Sequence, residues 1–303
     1  MKTIAIVARP RKDEVRELTA QLLERYGAQR ELLVQEHVAE LVGVRGASDE
    51  EIARRADLMI VLGGDGTLIY GARLLHGRQV PILGINLGSL GFMTEVPVAD
   101  AFGAIDRTLD GKARVESRMK LSCRLYRESS LVMEDEVLND VVINKSALAR
   151  IARHEMWLDG AFVAAYQADG LIFATPTGST AYSLSAGGPI VHPAVDCVVV
   201  TPICPHALTQ RPIVVPGDQL IRVQLSSEVT DVYLTVDGQS GLPLRQGDCV
   251  EVEKSPHRVL IVRNEKLDYF SILRQKLKWG ERGHADEPAP TRGSRIRERP
   301  PGQ

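Results

Sequence analysis

The sequence predicts an α/β N-terminal domain, a Rossmann-like open parallel sheet, followed by an all-β sandwich domain and a closing C-terminal helix. Two observations carry this expectation. Residues 58 to 62 (Leu-Met-Ile-Val-Leu) are an unbroken apolar run set among helical patterns, which suits a strand buried on both faces of a parallel sheet. From about Val115 the apolar period changes to two, with glycine, proline and aspartate turns between the segments. The expected divisions are 1–114 for the α/β domain, 115–266 for the sandwich, 267–280 for a helix packing back on the first domain, and 281–303 for a disordered tail.

Taken in order, residues 3 to 8 read as a buried strand. Residues 13 to 26 read as a helix with Val15, Leu18, Leu22 and Leu23 on one face and Gly27 as its stop. Ser48, with Glu51 three residues on, makes a capping box for a helix ending at Ala56, which feeds the strand 57 to 62. That strand meets a glycine turn. Gly63, Gly64 and Gly66 let a ligand approach the backbone, where N–H groups and the start of a helix near Thr67 suit phosphate oxygens, with Asp65 held at the tip. The same letters also fit a plain strand-to-helix connection with Asp65 as N-cap. Residues 81 to 86 form the next strand and run into a second glycine-bearing loop, Asn86 to Met93; loops at the carboxyl ends of such strands share one crevice. A helix over 99 to 109 follows. In the second part 120–127, 131–142, 154–158, 161–166, 219–225, 232–236 and 248–252 alternate as strands. Residues 268 to 279 set Phe270, Leu273 and Leu277 against Arg274, Lys276 and Lys278, an amphipathic helix ended by Gly280. Beyond it, four prolines, many charges and one large aliphatic, Ile296, give little to bury.

Composition narrows the function classes. Lys and Arg number 37 against 39 Asp and Glu, a net charge of −2, so no global field recruits nucleic acid or an anionic membrane. No 18-residue apolar span exists, and the first apolar run is too short for a signal peptide. The four cysteines are scattered without CxxC spacing, which argues against zinc and disulfides and for a reducing cytoplasm. Polar residues then interrupt the β pattern twice. Asn139-Asp140 stand in an apolar strand. Residues 169 to 189 hold a Pro-Thr-Gly turn, after which Ser179 or Thr180 would cap a helix through Ser185, gathering N–H groups, hydroxyls and the Tyr182 ring as for phosphate, ribose and a purine face. A Ser/Thr-rich loop without a ligand has the same letters. Neither G-x-x-x-x-G-K-[ST] nor a strict G-x-G-x-x-G occurs.

Together these motifs resemble the NAD kinase family. They are Gly63-Gly-Asp-Gly-Thr67, Asn86 to Phe92, Asn139-Asp140, Asp169-Gly170 through Gly188-Pro189, Pro205 to Leu208 with Arg211-Pro212, Asp237-Gly-Gln239, and Tyr269-Phe270 to Trp279. They cover residues 3 to 280. Gly-Gly-Asp-Gly alone recurs in phosphofructokinases and diacylglycerol-type lipid kinases; the Thr175-to-Tyr182 run combined with Asn139-Asp140 is specific. The resemblance implies transfer of the γ-phosphoryl group of ATP to the 2′-hydroxyl of the adenosine ribose of NAD, with Mg²⁺ or another divalent ion carried mainly by the nucleotide and no protein metal site. It makes Asp65 the catalytic base or orienting group, with Gly66 beside it, and Gly63, Gly64 and Thr67 the phosphate loop. Asn139, Asp140 and Asp169 become polar ligands of NAD, and Thr180, Ala181, Tyr182, Ser183, Leu184 and Ser185 line its adenine and ribose pocket, joined by Gln239. Arg150 and Gln167 fall at further substrate-contact positions; Phe92 is an adenine neighbour or a core residue, and His206 is structural. The site is expected between subunits of a homodimer or homotetramer, with Asp169 supplied by the neighbouring chain.

Two positions depart from the family pattern. Asp140 is often glutamate, and Gln167 is often arginine, which leaves the choice between NAD and NADH open, as are donors other than ATP. Two other readings compete. A lipid or sphingoid-base kinase lacks support in Tyr182 and Asn139-Asp140, and a non-catalytic NAD-sensing module is opposed by the intact Asp65.

Overall fold

The computed structural model describes residues 1–9, 12–146, 152–226 and 231–279; Arg150 and the expected tail lie outside them. The first half comprises β1 (Thr3–Ala8), α1 (Lys12–Tyr26), β2 (Glu31–Gln35), α2 (Glu36–Val42), β3 (Gly46–Ala47), α3 (Asp49–Arg55), β4 (Leu58–Leu62), α4 (Asp65–Leu74), β5 (Pro81–Asn86), β6 (Val96–Pro97) and α5 (Ala101–Leu109). The strands are parallel, in the order β3-β2-β1-β4-β5, with β6 on β5. Alternate residues feed two cores. Ile4, Ile6, Leu58 and Ile60 pack with Leu18, Leu22 and Ile105, whereas Ala5, Val7, Met59 and Val61 pack with Ile52, Leu68 and Ala72. Burial on both faces is why β1 and β4 read as continuous apolar runs. Residues 31 to 47, where the sequence pattern marks nothing, hold β2, α2 and β3. These elements are short, and α2 has no side-chain cap to announce it.

The second half comprises β7 (Val115–Arg127), β8 (Ser130–Val137), β9 (Asp140–Lys145), β10 (Ala152–Leu158), β11 (Ala161–Ala168), β12 (Gly170–Ala174), α6 (Tyr182–Ser185), β13 (Cys197–Ile203), β14 (Ile213–Pro216), β15 (Ile221–Leu225), β16 (Val232–Val236), β17 (Ser240–Leu244), β18 (Cys249–Val262) and α7 (Tyr269–Leu277). One layer is the antiparallel sheet β14-β13-β12-β9-β16-β17. The other layer is continuous with the parallel sheet, because β18 runs past its expected end at Val252. Its first residues pair with β15 and β7, and Leu260 and Ile261 pair with Pro81 and Ile82 of β5. Leu121, Leu125, Phe173, Val200 and Val252 fill the space between the layers. At the close, Asp268 and Ser271 form a capping box for α7, which buries Ile272 and Leu273.

Candidate active site

The carboxyl ends of β1, β4 and β5 are neighbours, so the segments leaving them meet. They enclose a cavity of about 370 Å³ lined by Arg9, by Gly63, Gly64 and Thr67, and by Asn86, Gly88 and Ser89. Gly64 is the N-cap of α4 and offers no side chain, so the N–H groups of Asp65 and Gly66 get no side-chain cap, whereas that of Thr67 donates to Gly64 O at 2.9 Å. Asp65 is therefore the first helical residue rather than a cap. Its carboxylate is turned to the second loop: Oδ1 accepts from the N–H of Met93 (3.0 Å), the N–H of Thr94 (3.0 Å) and Thr94 Oγ1 (3.0 Å), and Oδ2 accepts from the N–H of Phe92 (2.8 Å). Oδ1 is saturated; Oδ2 keeps capacity for one more donor. Arg9 lies over the ring of Tyr70 at 5.8 Å, and Tyr70 in turn is fixed by bonds with Asp49 and Gln35.

A second cluster forms at the start of β9. Asp237, in the turn between β16 and β17, accepts from the N–H groups of Leu138 (2.9 Å), Asn139 (2.7 Å) and Asp140 (3.2 Å). Thr175 holds the other side, its N–H donating to Asn139 O and its hydroxyl to Leu138 O. Gly178 packs so tightly there that a Cβ would fall 2.1 Å from Asn139 O. Clamped in this way, Asn139 and Asp140 present unmet polar atoms. Asn139 Oδ1 is buried without a partner, and the buried Asp140 carboxyl has no hydrogen bond among the described residues. Burial and the nearby Asp237 carboxylate push Asp140 up to about 7. Gln239 closes the gap between the clusters, its Nε2 donating to Gly66 O at 3.4 Å.

The 175-to-185 segment differs from expectation. Ser179 and Thr180 do not cap a helix: Ser179 Oγ bonds Pro176 O and the backbone of Val191, and Thr180 Oγ1 bonds Thr177 O, within a 3₁₀ turn over Gly178–Thr180. The helix that follows, α6, has four residues. Tyr182 and Ser185 are exposed, Ala181 and Leu184 half-buried, and the buried Ser183 hydroxyl pairs with Thr201 Oγ1 at 2.8 Å, away from solvent. Phe92 is half-buried, with Lys276 of α7 over its ring at 5.7 Å. Asp169 is not near Asn139-Asp140. In the β9–β12 ladder Ala174 faces Asp140 while Gly170 faces Asn144, which puts Asp169, paired with Lys145 at 3.3 Å, roughly 16 Å along the strand. The exposed Gln167 is at Asp169's end.

Comparison with known proteins identifies the family. Residues 4–113 match the ATP-NAD kinase N-terminal domain and residues 138–264 the ATP-NAD kinase C-terminal domain. The chain belongs to the NAD kinase family. It is an NAD⁺ kinase, a phosphotransferase, and the lipid-kinase and sensing readings find no support. It is 49% identical over 283 residues to the NAD kinase of Geobacter metallireducens, covering 93% of this chain and all of that one. It is 52% identical over 251 residues to that of Geotalea daltonii, covering 82% and 88%. Yeast NADH kinase, solved with NADH, superposes with a TM-score of 0.86 at 27% identity, covering 95% of this chain and 90% of that one. An NAD kinase from Archaeoglobus fulgidus, solved with ATP, gives 0.70 at 26% identity, covering 91% and 98%. Against this family frame, two residues that sequence reasoning passed over stand out: Arg9, whose signal is its place directly after β1, and Asp237, the first letter of a turn valued only for Gln239.

Proposed function

We propose that the enzyme uses Asp65 as the base for transfer of the γ-phosphoryl group of ATP to the 2′-hydroxyl of the adenosine ribose of NAD. The Gln239 contact with Gly66 is the observation that carries it, since it sets the polar cluster at Asn139-Asp140 against the glycine crevice. In this reading the triphosphate lies over Gly63, Gly64 and Thr67 with Arg9 as countercharge, and Asn139 Oδ1 and Asp140 take hydrogen bonds from NAD. The hydroxyl oxygen bonds to the γ-phosphorus, the bond to the β–γ bridging oxygen breaks, ADP leaves, and the proton passes to Asp65 Oδ2. A ribose hydroxyl is far weaker as an acid than a carboxyl, so that proton moves late, and positioning supplies most of the acceleration.

The crevice fits a divalent ion carried by the nucleotide: its lining offers N–H, hydroxyl, amide and guanidinium groups and no carboxylate. Such an ion would neutralise charge on the phosphates. A homodimer or homotetramer completes the site, with Asp169 of a neighbouring chain facing Asn139-Asp140; the roughly 16 Å between them within one chain supports this. The setting is cytoplasmic, in keeping with four free cysteines. Two outcomes test the whole. Protein given Mg-ATP and NAD makes NADP, and mixed oligomers of Asp65→Asn chains with Asp169→Asn chains recover activity that neither has alone. Mixed oligomers as inactive as the parents would remove the shared site.

A further inference from the structure

Asp65 is aimed by a short stretch of backbone, and that backbone is itself anchored. Thr94 gives both its N–H and its hydroxyl to Asp65 Oδ1, and the next residue is Glu95, whose side chain is wholly buried. Glu95 Oε1 lies 2.7 Å from Arg263 Nε, Glu95 Oε2 accepts from the N–H of Asn264 at 3.2 Å, and Glu95 O accepts from Asn264 Nδ2 at 3.1 Å. Arg263 also bonds Glu116, a partly exposed carboxylate that Arg118 holds at 3.1 Å and Arg114 at 2.7 Å, so Glu95 and the buried Arg263 and Arg118 belong to one charged network. Arg263 and Asn264 directly follow β18, the strand common to both halves of the molecule. Gly91 shows how little slack the loop has, because a Cβ there would sit 2.2 Å from both Asp65 Oδ1 and Thr94 Oγ1.

We propose that Glu95 is a positioning residue for phosphoryl transfer: its pair with Arg263 holds Phe92 to Thr94 against Asp65 and so sets the direction of the one open lone pair on Oδ2. This rests on the reading of Asp65 as base. Burying an ion pair is expensive and seldom the most stable solution, whereas a guanidinium held between two carboxylates fixes where both lie. The network sits where geometry matters, one residue from the clamp on Asp65.

Glu95→Gln keeps the volume and leaves Arg263 paired with Glu116. The expected result is a folded oligomer whose kcat falls about tenfold or more while KM for NAD and for ATP stays within about twofold, since a displacement near 1 Å at the reacting groups suffices for such a loss. Combined with Asp65→Asn it adds little further, because both act through one carboxylate. Asp196→Asn, which strips the exposed pair with Lys254 and Arg258 of the same strand, keeps wild-type kcat. Should Glu95→Gln fail to fold, Glu95→Asp keeps the charge, withdraws it by one methylene, and is judged by the same split. Wild-type kcat in the folded variant, a rise in KM alone, or losses that multiply with Asp65→Asn would overturn the proposal. Wild-type turnover in Asp65→Asn itself would instead sink the reading of Asp65 and leave the role of Glu95 to the kcat of its own variant.

Discussion

Two aspartates of the site have opposite surroundings. Asp65 is supplied with four donors by the Phe92-to-Thr94 loop, while the buried Asp140 has none among the described residues and lies beside a second carboxylate, Asp237. The difference separates two tasks. A group whose direction is imposed by the protein suits proton transfer to a fixed point, whereas a group left without partners gains most from a ligand that brings its own donors. Asp237 makes the contrast sharper, for it takes the three N–H bonds that would otherwise be available at that end of β9.

The largest effect should come from Asp65→Asn. It removes the proposed proton acceptor and turns an amide N–H₂ toward N–H donors, so kcat should fall at least about a hundredfold with NAD affinity little changed. NADP formation and equilibrium binding of NAD measure the two; full turnover in a folded variant removes Asp65 from the chemistry. Asp237→Asn should show the reverse split. It loosens the strand that presents Asn139 and Asp140, so KM for NAD should rise about tenfold with kcat within a few-fold, and an unchanged KM would mean the clamp is dispensable.

Stability against pH sharpens the contrast further. Asp140 holds its proton up to about 7 in the fold but only to about 3.8 in the unfolded chain, so its contribution is fully present below about 3.8 and is lost as pH rises through about 7. The shift corresponds to at most about 4 kcal/mol. Asp140→Asn should therefore gain on the wild type between pH 5 and pH 8 in urea midpoints; a gap that does not move with pH would give Asp140 an ordinary titration. His154 has the opposite sign and a smaller effect. It is buried in the sandwich with neither ring nitrogen bonded among the described residues and is pushed down to about 4, so the unfolded chain takes up a proton below about 6.5 that the fold refuses. Stability is lost from about 6.5 toward 4, up to about 3 kcal/mol. His154→Leu should flatten that acid limb, and equal acid sensitivity in both proteins would assign the loss elsewhere.

What could be read in the sequence follows from local physics. The glycine turn, the Asn86 loop and the two-sided strands were legible because strand burial and backbone approach leave marks over five to ten residues. The second half of β18 was not, since Lys254 to Arg258 breaks the alternation where the ladder shifts register. Asp237 and Arg9 owe their roles to distant chain: Asp237 is 97 residues from the N–H of Asp140 that it accepts. Ser183 shows the converse, because a hydroxyl beside a binding turn carries no sign of pairing with Thr201.

A strand laid through both halves of a molecule also limits how that molecule can move. β18 is laced to β5 on one side of the junction and to β15 on the other, with β7 alongside both parts, so swinging the halves apart would shear its ladder. That lacing opposes a clamshell opening. On the proposed reading, shelter from water, which many phosphoryl-transfer enzymes obtain by shutting a lid, would be built by what arrives: a nucleotide filling the crevice, a dinucleotide covering Asp65, and a neighbouring chain supplying the remaining wall. Active-site order on that reading is a matter of assembly on a frame that one strand carries from one half to the other.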